Sequence, residues 1–413
     1  MEPMQPAVPP RAVEARRINQ LIADGYDAIF YDPPANPGLD PEHVFGLANL
    51  YGCARTIGRK FDALDLGCGA GRQLERIGAG NRGLLVGLDI SARNCAAASQ
   101  RLARFGARAQ VMCKDILDVD GRHLGEFDLL ILVGVLSVAP SAVQHALLDA
   151  VGHCLTPGGV AVLGYYAGAM PKLRAEIHAR LRAVVDPADP ASVQVRAARA
   201  ALMAMPNEFP PNSDERHCME TALRQTAAQS DTVFFHEVLN FEFYGLNTSL
   251  IEAELAPRGV EFLNYLPACD FGGLETSRDR AVAADALDAK MGGYRYAVFG
   301  NVGEGSSAPP PRAPQIRWSS RLVYSGFGAR YRGAANYRDP VNGMSTSVNR
   351  VETQAALDEL GGGARNFAQL LGGARNRLSK AGLKADAGMA SMICEDLLHL
   401  TWAGFVAPLW KEA

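Results

Sequence analysis

Short apolar runs alternate with helical patterns between residues 61 and 166, and each run has the length of a β-strand. The runs are Leu64–Leu66, Leu84–Asp89, Val111–Ile116, Phe127–Val135 and Val160–Tyr166. The fourth run is apolar almost throughout, which is typical of a parallel strand buried on both faces. Strands that alternate with helices predict βαβ units, so the pattern indicates an α/β fold with a doubly wound parallel sheet.

Two of these runs end in residues suited to binding a ligand. The first runs into Gly67, Gly69 and Gly71, and the second ends in Asp89, eighteen residues after Gly71. In a doubly wound sheet these two strand ends lie side by side at the crevice that binds nucleotide-like ligands. Glycine lets the backbone approach a ligand closely. The carboxylate of Asp89 can accept hydrogen bonds from both hydroxyls of a ribose, so we expect a ligand that contains a nucleoside.

The glycine spacing argues against a nicotinamide cofactor. A dinucleotide fingerprint needs a third glycine where this chain has Arg72. The pattern Asp-x-Gly-x-Gly-x-Gly from Asp65 to Gly71 resembles motif I of the class I S-adenosylmethionine (SAM)-dependent methyltransferases. This resemblance implies that the turn passes under the amino-acid end of the cofactor and that Asp65 lies near its ammonium. An NAD-dependent oxidoreductase is the less favoured alternative.

The resemblance also implies a set of cofactor contacts. Asp115 follows the third run where the family places an acid against the adenine amino group, and Ile116 matches a residue that packs on the adenine face. The residues expected to bind SAM, or its product S-adenosylhomocysteine, are Tyr26, Tyr31, Asp65, Gly67, Cys68, Gly69, Gly71, Asp89, Ile90, Asp115, Ile116 and Val133. No cluster of His, Cys, Asp or Glu has the spacing of metal ligands, so no metal is expected.

The rest of the chain predicts additions to this core. A class I sheet closes with a helix and an antiparallel pair of strands, whose patterns come late, at 246–255, 259–263 and 294–299. We therefore expect a doubly wound, seven-stranded, Rossmann-like methyltransferase sheet with a helical insertion and a smaller C-terminal α+β domain. The predicted parts are a helical cap (1–60), the SAM-binding core (61–166), a helical insertion acting as a lid (167–240), the end of the core sheet (241–302), a linker (303–315) and the C-terminal domain (316–413).

The segments outside the core resemble a narrower group, the prokaryotic methyltransferases that carry a methyltransferase regulatory domain. The resemblance runs from Gly25 to about Asn301, and this group includes rickettsial protein-lysine methyltransferases. Where the group has His-Gly-Val-Tyr-Ser-Trp, this chain has Val133 to Val138 and lacks the histidine and both aromatic residues. Because these positions are expected to face the acceptor, the resemblance does not identify the acceptor.

Candidates for acceptor chemistry are Tyr165, Tyr166, His236 and Glu237. Orienting an acceptor in line with the methyl group can supply roughly 7–11 kcal/mol of the barrier, which makes a dedicated base optional. An ammonium acceptor must still lose a proton, which favours a nearby carboxylate, tyrosine or histidine. Adjacent residues on a strand point to opposite faces, so one of the two tyrosines must face away from the pocket. Structural packing is the alternative interpretation for all four residues.

Composition and charge narrow the function further. The chain has 413 residues, a net charge of −3 and 48% hydrophobic residues, which favours a globular protein over a nucleic-acid or membrane-surface binder. Its eight cysteines contain no C-x-x-C pair, and no targeting segment is recognisable, so we expect a cytoplasmic protein with reduced thiols. Seven arginines between Arg312 and Arg350, interleaved with aromatic residues, keep nucleic-acid binding as a minor alternative. A homodimer is left open.

The sequence therefore favours a SAM-dependent methyltransferase that acts on a small-molecule or peptide acceptor at nitrogen, by in-line SN2 transfer. Three alternatives remain open: a protein-lysine N-methyltransferase, a small-molecule methyltransferase acting on thioether or hydroxyl groups, and a SAM-binding regulator without turnover.

Overall fold

The computed structural model describes most of the chain. The described residues are 10–51, 53, 60–186, 188–213, 216, 220, 223, 229–239, 243–271, 274–302, 316–328, 330–341 and 343–410. The predicted linker, 303–315, lies outside them. Within the described parts, every helix is too short or too polar to cross a lipid bilayer.

A seven-stranded sheet forms the centre of the protein, as the sequence predicts. Its strands are β1 (Ala63–Leu66), β2 (Leu85–Asp89), β3 (Ala109–Cys113), β4 (Phe127–Leu132), β5 (Leu155–Ala167), β6 (Val260–Tyr265) and β7 (Gly293–Asn301). Their order across the sheet is β3-β2-β1-β4-β5-β7-β6. The first five strands are parallel, and β7 lies antiparallel between β5 and β6. This arrangement confirms the predicted doubly wound class and its late antiparallel pair.

Helices cover both faces of this sheet. They are α1 (Pro10–Ala28), α2 (Pro41–Leu50), α3 (Arg72–Gly80), α4 (Ala92–Leu102), α5 (Ser141–Cys154), α9 (Thr248–Leu255) and α10 (Ser277–Met291). Strand β4 shows why helices must cover both faces of the sheet. Leu129 and Ile131 belong to one apolar core, whereas Leu130 and Leu132 belong to another. Successive side chains of a strand point to opposite faces, so a strand that is apolar throughout requires cover on both sides.

The parallel strands end at the same edge of the sheet. Asp65 on β1 lies beside Gly87 on β2, and Asp89 at the end of β2 lies beside Cys113 on β3. The glycine turn after β1 and the acid after β2 are therefore brought together by register. This edge is where doubly wound folds bind their ligands.

The residues that the structure describes between β5 and α9 are largely helical, as predicted for the insertion. It contains α6 (Met170–Arg182), α7 (Ala191–Ala204) and α8 (Asp231–Phe234), and α8 continues as one turn of π-helix, Phe235–Leu239. These elements bury a small apolar core of their own, which includes Leu181, Leu202 and Phe234. Since the π-turn carries His236 and Glu237, this core fixes the position of both residues.

Among its described residues, the C-terminal region contains two further sheets and three helices. Its elements are β8 (Ile316–Ser320), β9 (Val323–Gly328), β10 (Ala335–Arg338), β11 (Ser345–Val348), α11 (Val351–Leu360), β12 (Arg365–Asn366), α12 (Phe367–Lys380), α13 (Met389–Trp402) and β13 (Val406–Trp410). The sequence has helical patterns from Ala356 to Trp410, but the prediction of helix was wrong at its end, because the last five of these residues form β13 and pair with β8. The apolar alternation of a five-residue segment is too short to separate strand from helix.

The C-terminal region packs on α2, which in turn contacts strands β5 and β7 of the central sheet. Val44 and Phe45 of α2 belong to the same apolar core as Trp318 and Val406. Contact between α2 and β13 is so close that a Cβ atom on Gly46 would lie 2.3 Å from the carbonyl oxygen of Pro408. The proposed boundary at 316 therefore separates two parts of the chain that share one core, which differs from the expectation of few contacts across a linker.

Candidate functional site

The glycine turn leads from β1 into α3. Gly67, Gly69 and Gly71 have φ angles of +82°, +51° and +79°, in the left-handed region that favours glycine. A Cβ atom on Gly69 would meet nothing within 4 Å, because this residue faces an open cavity. A Cβ atom on Gly71 would instead lie 3.0 Å from Cβ of Ala98 in α4. Gly69 thus leaves open space for a ligand, whereas Gly71 allows the turn to pack closely against α4.

Three acids lie around this turn. The carboxylate of Asp89 accepts hydrogen bonds from the backbone N–H of Gly69 at 2.8 Å and of Ser91 at 2.9 Å. Burial raises the pKa of Asp89, although these backbone donors act to lower it. Asp115 accepts hydrogen bonds from Asn19 and from the backbone N–H of Leu117. The acids end β2 and follow β3, as the motif spacing predicts.

Asp65 differs from the other two acids. Its side chain is buried, with 4% exposure, and no group in the described part of the chain donates a hydrogen bond to its carboxylate. Burial, together with the nearby carboxylate of Asp89, raises the pKa of Asp65 to about 7. A buried carboxylate without a partner is costly. A cationic ligand group beside Asp65 would remove this cost.

A cavity of about 490 Å³ opens at this edge of the sheet. Of the residues predicted to bind the cofactor, those that line the cavity are Tyr26, Tyr31, Asp65, Gly67, Cys68, Gly69, Asp89, Ile90, Asp115, Ile116 and Val133. Gly71 is the exception, since it packs against α4 behind the turn. Eleven of the twelve residues predicted to bind the cofactor therefore line one cavity. Whether these residues bind a cofactor remains a prediction.

The segment after α1, residues 29–36, lines the cavity from Tyr31 to Asn36 and is called the N-terminal strap below. Asp32 in the strap forms ion pairs with Arg72 at 2.6 Å and with Arg101 at 2.9 Å, which fix it to α3 and α4. Asp27, at the end of α1, accepts hydrogen bonds from the hydroxyl of Ser91 and the backbone N–H of Arg93. The strap is thus held against the helices that follow the glycine turn and Asp89.

Only one of the two adjacent tyrosines reaches the cavity. Tyr166 lines it, whereas Tyr165 is fully buried on the opposite face, with its hydroxyl 2.7 Å from that of Thr248 in α9. The prediction of Tyr165 as a catalytic candidate was wrong, because the alternation along β5 turns its side chain away from the cavity. Burial raises the pKa of Tyr166 to about 12. Its phenol therefore stays protonated near neutral pH.

His236 and Glu237 both line the cavity, but their contacts differ. His236 has 1% exposure, stacks on Tyr26 with 4.5 Å between ring centroids, and lies with Nε2 2.7 Å from the carbonyl oxygen of Ile29. Burial lowers its pKa to about 4, so the imidazole is neutral near pH 7. These contacts give His236 a structural role in joining the insertion to the strap. Glu237 accepts a hydrogen bond from the hydroxyl of Tyr31 at 2.9 Å.

Sequence reasoning missed three aromatic residues of the cavity wall, Phe243, Tyr294 and Tyr296. Tyr294 packs edge-on against Tyr166 at 4.9 Å and accepts a hydrogen bond from the backbone N–H of Gly134 at 2.8 Å. The two tyrosines of β7 are two residues apart and so share a face of the strand. This alternation was visible in the sequence. Their place beside β5 required the sheet order, which the local pattern does not give.

The positions that differ from the narrower group lie in the loop after β4, and not all of them face the cavity. Val133, Ser137 and Val138 line the cavity, whereas Leu136 is fully buried in the apolar core. The expectation that all the substituted positions face the acceptor was therefore wrong for Leu136. Ser137 instead fixes the end of β5, because its hydroxyl accepts a hydrogen bond from the backbone N–H of Tyr166 at 2.7 Å.

The basic aromatic stretch of the C-terminal region lies away from the cavity. Arg321 pairs with Asp339 at 2.8 Å, and Arg330 pairs with Asp358 at 2.5 Å. Trp318 and Tyr337 are fully buried. Asp339, within the stretch, and Asp358, beyond it, thus neutralise part of the positive charge, and two of the rings are core residues. The arrangement gives no support to nucleic-acid binding by this stretch.

Comparison with known proteins agrees with this geometry. Residues 63–159 match the family model described as a methyltransferase domain. Uncharacterized protein RP028 of Rickettsia prowazekii (strain Madrid E) is 25% identical over 142 residues, which cover 34% of this chain and 56% of that protein. Uncharacterized protein RP789 of the same organism is 27% identical over 142 residues, which cover 34% of this chain and 26% of that protein.

The fold is similar to that of PKMT2 from Rickettsia typhi. The match has a TM-score of 0.74 and 15% identity, and covers 92% of this chain and 77% of that one. The structure of PKMT2 in complex with AdoHcy matches with a TM-score of 0.73 and 15% identity over the same shares of both chains. The strand order, the matched family model and this likeness lead to one conclusion: the chain carries a methyltransferase domain at residues 63–159, built on the class I methyltransferase fold.

Proposed function

We propose that this protein is a SAM-dependent methyltransferase that transfers a methyl group to nitrogen of a small-molecule or peptide acceptor. The observation that carries the proposal is the buried carboxylate of Asp65, which lies in the cavity wall beside the glycine turn without a donor among the described residues. The amino-acid end of SAM presents an ammonium that suits this position. Asp89 and Asp115 supply acceptors for the ribose and the adenine farther along the same wall.

The residues present fit the cofactor in shape as well as in charge. Gly69 leaves open space where any other residue would place a Cβ atom. Ile116 is buried and apolar, as suits the face of an adenine ring. Cys68, also buried, is a packing residue, since burial raises its pKa well above the ordinary value and so disfavours the reactive thiolate.

The acceptor half of the cavity favours a cationic group. When bound, SAM supplies a methyl group made electrophilic by its sulfonium. The walls here are the rings of Tyr166, Phe243 and Tyr294. Two of these rings already contact a cation, because the guanidinium of Arg174 lies 4.3 Å from the centroid of Tyr166 and 4.8 Å from that of Phe243. Aromatic rings attract amines as ammonium ions through cation–π interactions.

Glu237 is the proposed proton acceptor for such an amine. An ammonium has no lone pair for attack and must lose a proton before transfer. Tyr166 is protonated near neutral pH, and His236 is held by the carbonyl of Ile29. Glu237 combines a carboxylate with a fixed position, since Tyr31 and Arg174 both contact it. We therefore assign the base to Glu237 and a supporting role to His236.

A protein-lysine acceptor is the second candidate. It is favoured by the resemblance to rickettsial protein-lysine methyltransferases and by the fold likeness to PKMT2, with a TM-score of 0.74. A lysine side chain is also a primary amine on a slender chain, which suits a cavity narrowed by aromatic rings. The two candidates thus share one chemistry and differ in the size of the molecule that carries the amine.

Labelling will distinguish these alternatives. The purified protein is incubated with methyl-labelled SAM and with either the small-molecule or the protein fraction of a cell extract, and products are identified by mass spectrometry. Asp89→Ala serves as the cofactor-binding control. Label on a small-molecule or peptide nitrogen supports the proposal, and label on lysine of a protein supports the second candidate. Label on oxygen or sulfur contradicts the nitrogen acceptor, and SAM binding without any label indicates a regulator.

A further inference from the structure

Helix α1 contributes a polar side chain to the cavity at the acid expected to bind adenine. Asn19 is buried, with 5% exposure, and lines the cavity. Its Nδ2 donates a hydrogen bond to Oδ1 of Asp115 at 2.8 Å. The same oxygen also accepts from the backbone N–H of Leu117 at 2.9 Å. Both donors therefore act on one oxygen of the carboxylate.

The two hydrogen bonds to Oδ1 leave the other oxygen of Asp115, Oδ2, for a ligand. Oδ2 of Asp115 receives no hydrogen bond from any residue that the structure describes. Two donors on Oδ1 fix the carboxylate plane, so Oδ2 stays available in one orientation. An ionised carboxylate only accepts hydrogen bonds. Such an oxygen can accept a hydrogen bond from the exocyclic amino group of adenine, and it would repel the carbonyl oxygen that stands at that position in hypoxanthine.

We propose that Asn19 is a positioning residue for base recognition: by holding Oδ1 of Asp115, it makes the site specific for the amino group of adenine. This inference rests on the proposed function, because it assumes that an adenosyl cofactor occupies the cavity. It adds to that function a residue outside the matched domain, which begins at residue 63. Helix α1 thus contributes a residue to the cofactor site, in addition to covering the sheet.

Other contacts already hold α1 in place on both sides of Asn19. Arg16 forms an ion pair with Asp118 at 2.7 Å, one turn before Asn19. Asp27, two turns after it, binds Ser91 and Arg93. Removing the amide of Asn19 should therefore leave the helix docked and change only the orientation of Asp115.

The test compares two ligands by calorimetry: S-adenosylhomocysteine and its deaminated form S-inosylhomocysteine, in which a carbonyl oxygen replaces the amino group and N1 carries a proton. The wild type should bind the adenine form more tightly. Asn19→Ala should weaken the adenine form about 10- to 100-fold, as for loss of one hydrogen bond to a charged group, and leave the inosine form nearly unchanged. Asn19→Asp, which places a like charge beside Asp115, should give a larger adenine-specific loss.

Gln20→Ala is the matched control, because the amide of Gln20 binds Asp24 on the exposed side of the same helix. It should leave both affinities unchanged. Equal weakening of both ligands in Asn19→Ala and Asn19→Asp would show a purely structural role and overturn the inference, as would no change in either variant. A wild-type protein that binds neither ligand would overturn the proposed function itself, and the inference with it.

Discussion

The hydroxyl of Tyr31 donates a hydrogen bond to Oε1 of Glu237 at 2.9 Å, across 206 positions of the chain. This bond joins the N-terminal strap to the π-turn of the insertion at the wall of the cavity. Arg174 supports the same π-turn by donating to the backbone oxygen of Glu237 at 2.6 Å. The carboxylate is therefore held in place by two segments that lie far apart in the sequence.

Glu237→Gln should lower turnover while cofactor affinity stays near that of the wild type. The amide keeps the size of the side chain and can accept from Tyr31, but it cannot take a proton from an amine acceptor. General-base catalysis typically contributes about 10²- to 10⁴-fold, so we expect kcat to fall at least 100-fold. Steady-state kinetics gives kcat, and calorimetry with S-adenosylhomocysteine gives the affinity.

Glu208→Gln is the control for this experiment, because Glu208 lies in the same insertion but pairs with Arg180 at the surface. It should leave both quantities unchanged. If Glu237→Gln instead reduced turnover and cofactor affinity by the same factor, Glu237 would have a folding role and the base would lie elsewhere.

Cofactor affinity should depend on pH through Asp65. Its pKa is about 7 in the free protein, because burial and the Asp89 carboxylate raise it. A ligand ammonium prefers the ionised carboxylate, so the protonated fraction must lose its proton on binding. The dissociation constant of S-adenosylhomocysteine should therefore rise as pH falls below about 7, approaching tenfold per pH unit.

Asp65→Asn is the matched variant for this dependence. It should bind more weakly than the wild type at about pH 8, where Asp65 is ionised, and its affinity should change little from there down to about pH 5.5. Calorimetry across this range measures both curves. A wild-type affinity that stays constant below pH 7 would contradict the placement of the ammonium at Asp65.

Asp89→Ala should weaken cofactor binding by roughly 1.5–3 kcal/mol, as expected for the loss of hydrogen bonds to a charged group. The change removes the acceptor for the ribose and also leaves the N–H groups of Gly69 and Ser91 without their partner. Glu126→Ala is the control, since Glu126 is exposed just before β4. Unchanged S-adenosylhomocysteine affinity in Asp89→Ala, or tight NADH binding by the wild type, would refute the assignment.

The sequence predicted the half of the site whose residues lie close together along the chain. Gly67, Gly69 and Asp89 lie within 25 residues of Asp65, and parallel register alone brings them together. A turn and a strand end have fixed geometry, so their spacing is informative. The same holds for the order of strands and helices between residues 61 and 166.

The half of the cavity expected to bind the acceptor is built from segments far apart in the sequence, so no local sequence pattern predicts it. Tyr31, Tyr166, Glu237 and Tyr294 come from the strap, β5, the π-turn and β7. These four residues come together because β7 lies antiparallel beside β5 and because the insertion folds back so that Glu237 lines the cavity. The choice between Tyr165 and Tyr166 likewise depends on the face of β5, which is set by tertiary packing.

His236 should make the protein less stable at mildly acidic pH. Burial lowers its pKa to about 4, whereas in the unfolded chain a histidine titrates near 6.5. Between these values the unfolded chain takes up a proton that the folded chain does not, so the free energy of unfolding falls as pH drops from about 6.5 to about 4. His236→Phe keeps an aromatic ring beside Tyr26 but cannot titrate.

Chemical denaturation at several pH values checks this dependence. The stability advantage of the wild type over His236→Phe should shrink as pH falls through the window. His123→Ala, which changes an exposed histidine, should follow the wild-type curve. A difference between wild type and His236→Phe that stays constant from pH 7 to pH 4 would contradict a buried, neutral imidazole.

The last prediction concerns the shared core of α2 and the C-terminal region. A Cβ atom on Gly46 would lie 2.3 Å from the carbonyl oxygen of Pro408, and backbone cannot move aside as a flexible side chain can. Gly46→Ala should therefore destabilise the protein by about 1–3 kcal/mol, as overpacking typically does. Gly372→Ala is the matched control, because Gly372 lies inside α12 and a Cβ atom there would meet nothing within 4 Å. It should stabilise the protein by roughly 0.5–1 kcal/mol, since alanine is the better helix former. Thermal or chemical unfolding compares the two variants. If Gly46→Ala were as stable as the wild type, the C-terminal region would not be docked on α2, and a chain ending at Val302 would then be expected to fold independently.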